Sequence, residues 1–304
     1  MRSLVLGTSL LLATGCTVAV VDEGTAADED ETTTAQGNVS VERVVALGEG
    51  TVGRTHVSAR FVRVSGGIDQ RTAERVVGSA RLEQDAAVGC SWQQAPATAT
   101  PNAEGSIELL DVGEIVVRAG TRALPLAARA FPDVGDLVSG VVYTSRDHSS
   151  ELPEASTYSI ETSGSPLVEG FSVQVEAPST PVGVFVSQPS LVRLGIERLP
   201  LEAEFTLSTG EELLVGWDAG RPSLGDRIYL DLVAAEQGQQ LRCVFEDDGE
   251  GVVPAQLNGF AAGAQIDIAL HRHRRTMVRR ASGVIDEAVV DFDFAVAARA
   301  MTNE

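Results

Sequence analysis

The chain has 304 residues, of which 43% are hydrophobic and 22% charged, so it can bury a real core and is not a disordered polymer. Its formal charge of -20, at a pI near 4.5, repels phosphate backbones and excludes nucleic acid as a partner. The basic side chains other than histidine are all arginine, so a lysine-bearing phosphate loop is excluded as well.

The chain opens Met1-Arg2-Ser3, short and positively charged, followed by an apolar run from Leu4 to Ala13 broken only by Gly7, Thr8 and Ser9. That run is far shorter than the roughly 20 residues a membrane-spanning helix needs. A basic start, a short apolar stretch and small residues at its end make a secretory signal over residues 1–15. Ala13-Thr14-Gly15-Cys16 resembles the lipobox of bacterial lipoproteins, with Ala13 standing where that family favours leucine. The resemblance implies that the Cys16 thiol takes a diacylglyceryl group, that cleavage falls before Cys16, and that the new amino terminus is acylated with a chain such as palmitate. Each buried methylene contributes about 0.8 kcal/mol, so two or three acyl chains hold a protein on a membrane where one does not. Thr17 carries no retention signal of the kind other lipoproteins show, which by analogy favours the outer membrane.

Residues 16–37 form an acidic linker, with Asp22-Glu23 and Asp28 to Glu31 set among threonine, alanine and glycine. Like charges and low hydrophobicity extend such a segment, which is read as a disordered stalk beyond the lipid. From Val39 the pattern becomes β. Val57, Ala59 and Phe61 alternate with polar residues, Ile107 and Leu109 flank Glu108, and Phe171, Val173 and Val175 repeat the rhythm. The one helix signal of note is Gln70 to Val77. Ala177-Pro178-Ser179-Thr180-Pro181 is a stiff polar break, so the sequence divides into β domains at 38–180 and 181–304.

The second stretch alternates more cleanly. Leu213, Val215 and Trp217 share a face, as do Ile228, Leu230 and Leu232; Leu241, Cys243 and Phe245; Ala264, Ile266, Ile268 and Leu270; and Val290, Phe292, Phe294 and Val296. Turn chemistry separates these runs at Asp218-Ala219-Gly220, at Ser223 to Asp226 and at Asp247 to Gly251, the last read as a hairpin turn. Pro254 is placed to start one helical turn. The expected architecture is all-β: two β-sandwich domains, the second of about seven strands around Trp217 and immunoglobulin-like or fibronectin-like. The lipobox and acidic spacer, with Leu-Val-Gly-Trp at 214–217, Arg-Cys-Val-Phe-Glu-Asp-Asp-Gly at 242–249 and Val-Pro-Ala at 253–255, resemble uncharacterised myxobacterial β-sandwich lipoproteins. That resemblance implies an envelope location and β domains, and it supplies no catalytic residues.

Cys90 and Cys243 remain once Cys16 is lipidated. Exported chains permit a disulfide between them, which would staple the two domains, and two buried inert thiols are the alternative. Gly170-Phe171-Ser172 does not complete a nucleophile elbow, and no HExxH occurs. His56 stands alone. His148 lies in the polar run Arg146-Asp147-His148-Ser149-Ser150, where adjacent residues make a poor triad. His271-Arg272-His273-Arg274-Arg275 is the most suggestive cluster. On a strand, His271 and His273 share the outer face with Asp267 and are candidates for a metal site. The plainer reading is a solvated strand end and turn, made basic by Arg272, Arg274, Arg275, Arg279 and Arg280, and such a patch could also meet an acidic polysaccharide or lipid headgroup. These features point to a lipid-anchored envelope protein with no cofactor, acting as a structural or binding module for a protein or polysaccharide ligand. The alternatives are a surface hydrolase with unidentified carboxylates and a metal-binding protein.

Overall fold

Side chains on a strand point alternately to its two faces, so the period-two rhythm commits most of this chain to sheets with one face in a core. A computed structural model describes residues 35–47, 53–78, 82, 86–93, 105–131, 138–145, 152–201, 204–221, 224–279 and 281–303, and these are all-β with two short helices. The leader, Cys16 and most of the acidic linker lie outside the described residues, as do His148 and Arg280.

The first half contributes β1 (Ala35–Ala46), β2 (Gly53–Gly66), α1 (Gln70–Val76), β3 (Gly89–Trp92), β4 (Gly105–Leu109), β5 (Ile115–Ala119), β6 (Arg122–Ala130), β7 (Val138–Thr144), β8 (Thr157–Thr162) and β9 (Ser172–Glu176). The second contributes β10 (Phe185–Ser187), α2 (Pro189–Arg193), β11 (Leu199–Pro200), β12 (Glu204–Ser208), β13 (Leu213–Gly216), β14 (Arg227–Ala234), β15 (Gln239–Glu246), β16 (Glu250–Val253), β17 (Gln265–Arg279) and β18 (Ile285–Asn303). One fourteen-stranded sheet runs β3-β15-β14-β17-β18-β1-β2-β4-β7-β6-β5-β8-β9, with β12 added alongside β18, and a four-stranded sheet runs β11-β10-β13-β16. The expected helix forms as α1, where Asp69 caps the N-terminus by accepting from the Thr72 backbone N–H at 2.9 Å. Ala73 and Val77 then pack with Val62, Ile107 and Leu109.

The hairpin of β17 and β18 organises the molecule. At roughly 3.3 Å per residue, the 19 residues of β18 span about 60 Å, longer than one sandwich core. From Val290 to Ala300 its even-numbered residues face one side. Val290, Phe292 and Phe294 lie in a core with Val39, Val41, Phe61, Val117 and Tyr158. Val296, Ala298 and Ala300, further along the same face, lie in a second core with Leu213, Val215, Trp217, Leu230 and Ile268. The first core is closed from above by the part of the large sheet containing β5, β6, β8 and β9, and the second by the four-stranded sheet. Residues 33–304 accordingly form one compact unit with two cores side by side on a shared layer. Strands cross the expected boundary near residue 180 in both directions. The Ile285 to Phe294 part of β18 serves the first core, and β3 pairs with β15 over the second.

Two sequence readings are corrected. Residues 35–37 belong to β1 and not to the linker: Ala35 is buried, and Gly37 sits where a Cβ would come within 2.8 Å of the Phe61 ring. Small residues fit beside that ring but carry no greasy rhythm to announce the strand. Asp247 to Gly251 is not a hairpin turn, because β15 belongs to the large sheet and β16 pairs with β13 in the small one. The segment is a crossover between layers.

Candidate functional site

The His271 to Arg275 stretch is not a solvated turn. It is the middle of β17, paired throughout with β18 on one side and, as far as His273, with β14 on the other. Strand alternation sends its charges to opposite faces of the shared layer. Arg272 and Arg274 continue the row of Ile266, Ile268 and Leu270, so they stand where the two cores part. His271, His273 and Arg275 point outward.

On the inner face, Arg272 is 2% exposed, and its Nε lies 2.7 Å from Asp247 Oδ2. Its Nη2 donates to Asp247 Oδ1 at 3.1 Å and to the Asp218 carbonyl at 2.7 Å. Its Nη1 donates to the Ser179 hydroxyl and carbonyl at 2.9 and 3.2 Å. Asp247 Oδ1 also accepts from Trp217 Nε1 at 2.8 Å, so the inward tryptophan is itself tied to this pair. Arg274 makes a two-pronged contact with buried Asp226, at 2.6 and 2.8 Å, and donates to the Glu176 carbonyl at 3.4 Å. A guanidinium is suited to this role because its donors are fixed in a planar fork. The two arginines thereby bind the 176–179 connector to Asp218, Asp226 and Asp247. Gly220 has no room for a side chain, since a Cβ there would collide with Asp247.

The same segments wall a cleft of about 750 Å³ between the two halves, formed by 154–157, 176–179 and 219–221 with Leu224 and the Arg274–Asp226 pair. Of its carboxylates, Asp226 is taken by Arg274, and Glu154 accepts from the Thr180 backbone N–H and hydroxyl at 2.9 and 2.7 Å. Glu176 and Arg221 are exposed and have no side-chain partner among the described residues. This cleft is not visible in the sequence, because its walls come from separated connectors with no common motif.

On the outer face an ionic row crosses five strands. His271 Nδ1 lies 2.7 Å from Asp293 Oδ1, and its Nε2 lies 4.0 Å from Asp231 Oδ2. Asp231 is held at 2.7 and 2.6 Å by the Arg242 fork. His273 Nε2 is 3.3 Å from Asp291 Oδ1, and that carboxylate also accepts from Arg275 at 2.8 and 3.1 Å and from Asn38 at 3.1 Å. The two histidines do share a face, as the strand reading requires. Asp267 lies on that same face, four residues before His271, where it accepts from Arg299 at 3.2 Å. Among the described residues no group of three or more histidine, cysteine or acidic side chains is placed to hold a metal ion. Of the basic patch expected here, Arg272, Arg274 and Arg275 each face a carboxylate, Arg279 is exposed, and Arg280 lies outside the described residues. His56 lies 3.1 Å from the Thr144 hydroxyl and 3.8 Å from Glu42.

Burial pulls the His271 pKa down, but the adjoining Asp293 carboxylate, with Asp231 behind it, outweighs that and leaves it raised. Burial likewise pushes Asp293 up, and His271 brings it below the usual carboxylate value. A raised histidine pKa stabilises the fold fully below its unfolded value of about 6.5, and that contribution is lost as pH rises through the folded pKa. The lowered Asp293 acts in the opposite sense, stabilising above its unfolded value and ceasing to do so as the solution is acidified through its folded pKa. The urea midpoint of the wild type is therefore expected to fall between about pH 6 and pH 9. His271→Gln should remove most of that slope, and an identical slope in both proteins would dissociate it from His271.

Cys90 and Cys243 are joined by a disulfide at directly opposed positions of β3 and β15. Comparisons with known proteins add little to this geometry. No protein-family model matches the chain, and no curated protein matches it. Among solved structures, the Mu homology domain of Fcho1 from Danio rerio, solved with a bound Eps15 peptide, is 8% identical over 89% of this chain and 97% of its own, with a TM-score of 0.21. A bacterial adhesin from Mobiluncus mulieris with intramolecular cross-links is 10% identical over 87% of this chain and 99% of its own, with a TM-score of 0.14. Likenesses of this size carry no argument about function.

Proposed function

We propose that the protein is a lipid-anchored lipoprotein of the bacterial envelope, held through Cys16 at the outer membrane, whose β body is a non-enzymatic binding or structural module. The anchor reading rests on the basic start, the short apolar run and Ala13-Thr14-Gly15-Cys16. The module reading is carried by one observation: among the described residues, the charged side chains clustered along β17 are directed at partners within the fold. Arg272 meets Asp247, Arg274 meets Asp226, His271 meets Asp293, and Arg275 meets Asp291. These pairs bridge strands and connectors, which is the work of a scaffold. A hydrolase would draw on the cleft carboxylates, and of these Asp226 and Glu154 are already committed.

Fractionation of a bacterial host expressing the full chain tests the anchor. The wild-type protein is expected with the membranes, and Cys16→Ala should move nearly all of it to the soluble fraction. Membrane retention of the Cys16→Ala variant would contradict lipid anchoring through this residue.

A further inference from the structure

We propose that the cleft between the two halves binds a short zwitterionic ligand of the peptide class, with Glu176 receiving the ammonium and Arg221 the carboxylate. This deepens the reading of the body as a binding module and rests on it.

The cleft volume of about 750 Å³ is in the range of small-molecule sites and exceeds what a tripeptide needs. Its base is prearranged. Arg274 and Asp226 are 7% and 5% exposed and neutralise each other, so they hold the walls without offering a charge to a ligand. Arg274 grips the backbone carbonyl of Glu176 itself, and Arg272 grips that of Asp218, three residues before Arg221. The two free charges therefore stand on connectors fixed by buried guanidinium groups, which lowers the ordering cost of binding. Glu176 and Arg221 are of opposite sign, and neither has a side-chain partner among the described residues. Ser156, Thr157 and Ser179 add hydroxyls to the lining, while Leu224 and Pro178 add apolar surface.

The lining also argues against other ligands. Among the described lining residues no aromatic ring is present to stack on a sugar face. Among the described lining residues, three carboxylates against two arginines disfavour a phosphate or polyanion. A ligand carrying one charge of each sign leaves neither Glu176 nor Arg221 desolvated without a counter-ion.

The test is calorimetric titration of the detergent-solubilised full-length protein with Ala-Ala-Ala, its N-acetyl form, its C-terminal amide and maltotriose. The free tripeptide is expected to bind saturably, and blocking either end should weaken it about tenfold, the effect of losing one charge-assisted contact. Glu176→Gln should make N-acetylation cost nothing further, and Arg221→Ala should do the same for the amide. Both side chains are exposed, so circular dichroism of the variants is expected to match the wild type. No saturable binding of the tripeptide up to about 10 mM, equal affinity for the blocked forms, or binding of maltotriose in its place would overturn the assignment. Membrane fractionation does not depend on the cleft, so failure here leaves the anchor reading to be judged on its own result.

Discussion

Arg272→Ala is expected to lower the unfolding free energy by about 3–5 kcal/mol, the typical cost of removing one partner of a buried ion pair. The substitution leaves the Asp247 carboxylate, 7% exposed, with the indole N–H of Trp217 as its donor. It also strips donors from the Ser179 and Asp218 carbonyls. The loss is electrostatic and not only a matter of volume, so Arg272→Met, which keeps most of the bulk, should be destabilised nearly as much. Arg272→Met combined with Asp247→Leu removes both charges and should recover a large part of the loss, because two apolar groups need no mutual neutralisation. Full recovery is not expected, since Trp217 loses its acceptor. Urea denaturation of the three variants measures this, and with total stabilities of about 5–15 kcal/mol for ordinary domains the single substitution should be plain in the midpoint. An Arg272→Ala protein within about 1 kcal/mol of the wild type would mean that the junction is held by the flanking cores alone.

The placement of Arg272 shows where the sequence is legible and where it is not. Alternation reports which residues share a face, because side-chain direction has period two and a one-residue slip exposes every apolar group. The faces read for Val57 to Phe61, Leu213 to Trp217, Leu241 to Phe245 and Val290 to Val296 are the buried faces of their strands. What alternation does not report is which core a strand serves. Phe294 and Val296 are neighbours on one face of β18, yet they belong to different cores. The same limit applies to His271 to Arg275. Charges in a row look like the end of a strand, because an isolated charge in a core is prohibitive. Here the partners come from other elements, Asp226 and Asp247 on one face and Asp291 and Asp293 of the hairpin partner β18 on the other, and let β17 continue through the layer. The cleft is hidden for a related reason, since connectors leave no periodic trace and only packing brings them together.

Loss of the disulfide is the other change with a large expected effect. Cys90 and Cys243 are 153 residues apart, and a chain-entropy estimate for a loop of that size gives about 5 kcal/mol of stabilisation, mainly by restricting the unfolded chain. The position of the bond makes a structural contribution besides. Strand β3 is four residues long and sits at the outer margin of the large sheet, paired only with β15 among the described strands. So short a margin strand has few ladder bonds of its own, and the covalent link fixes it over the second core, where Trp92 meets Phe260 edge-on at 5.1 Å between ring centres. Cys90→Ala is the cleaner variant, because Cys243 is fully buried and its removal would add a cavity to the effect. The expected result is a fall in the urea midpoint equivalent to several kcal/mol, reproduced in the wild type by reduction and alkylation. Tryptophan emission should shift to the red if β3 also detaches and Trp92, already 38% exposed, loses Phe260. A variant as stable as the wild type would show that the unfolded chain already keeps enough structure between residues 90 and 243 for the cross-link to restrict it little.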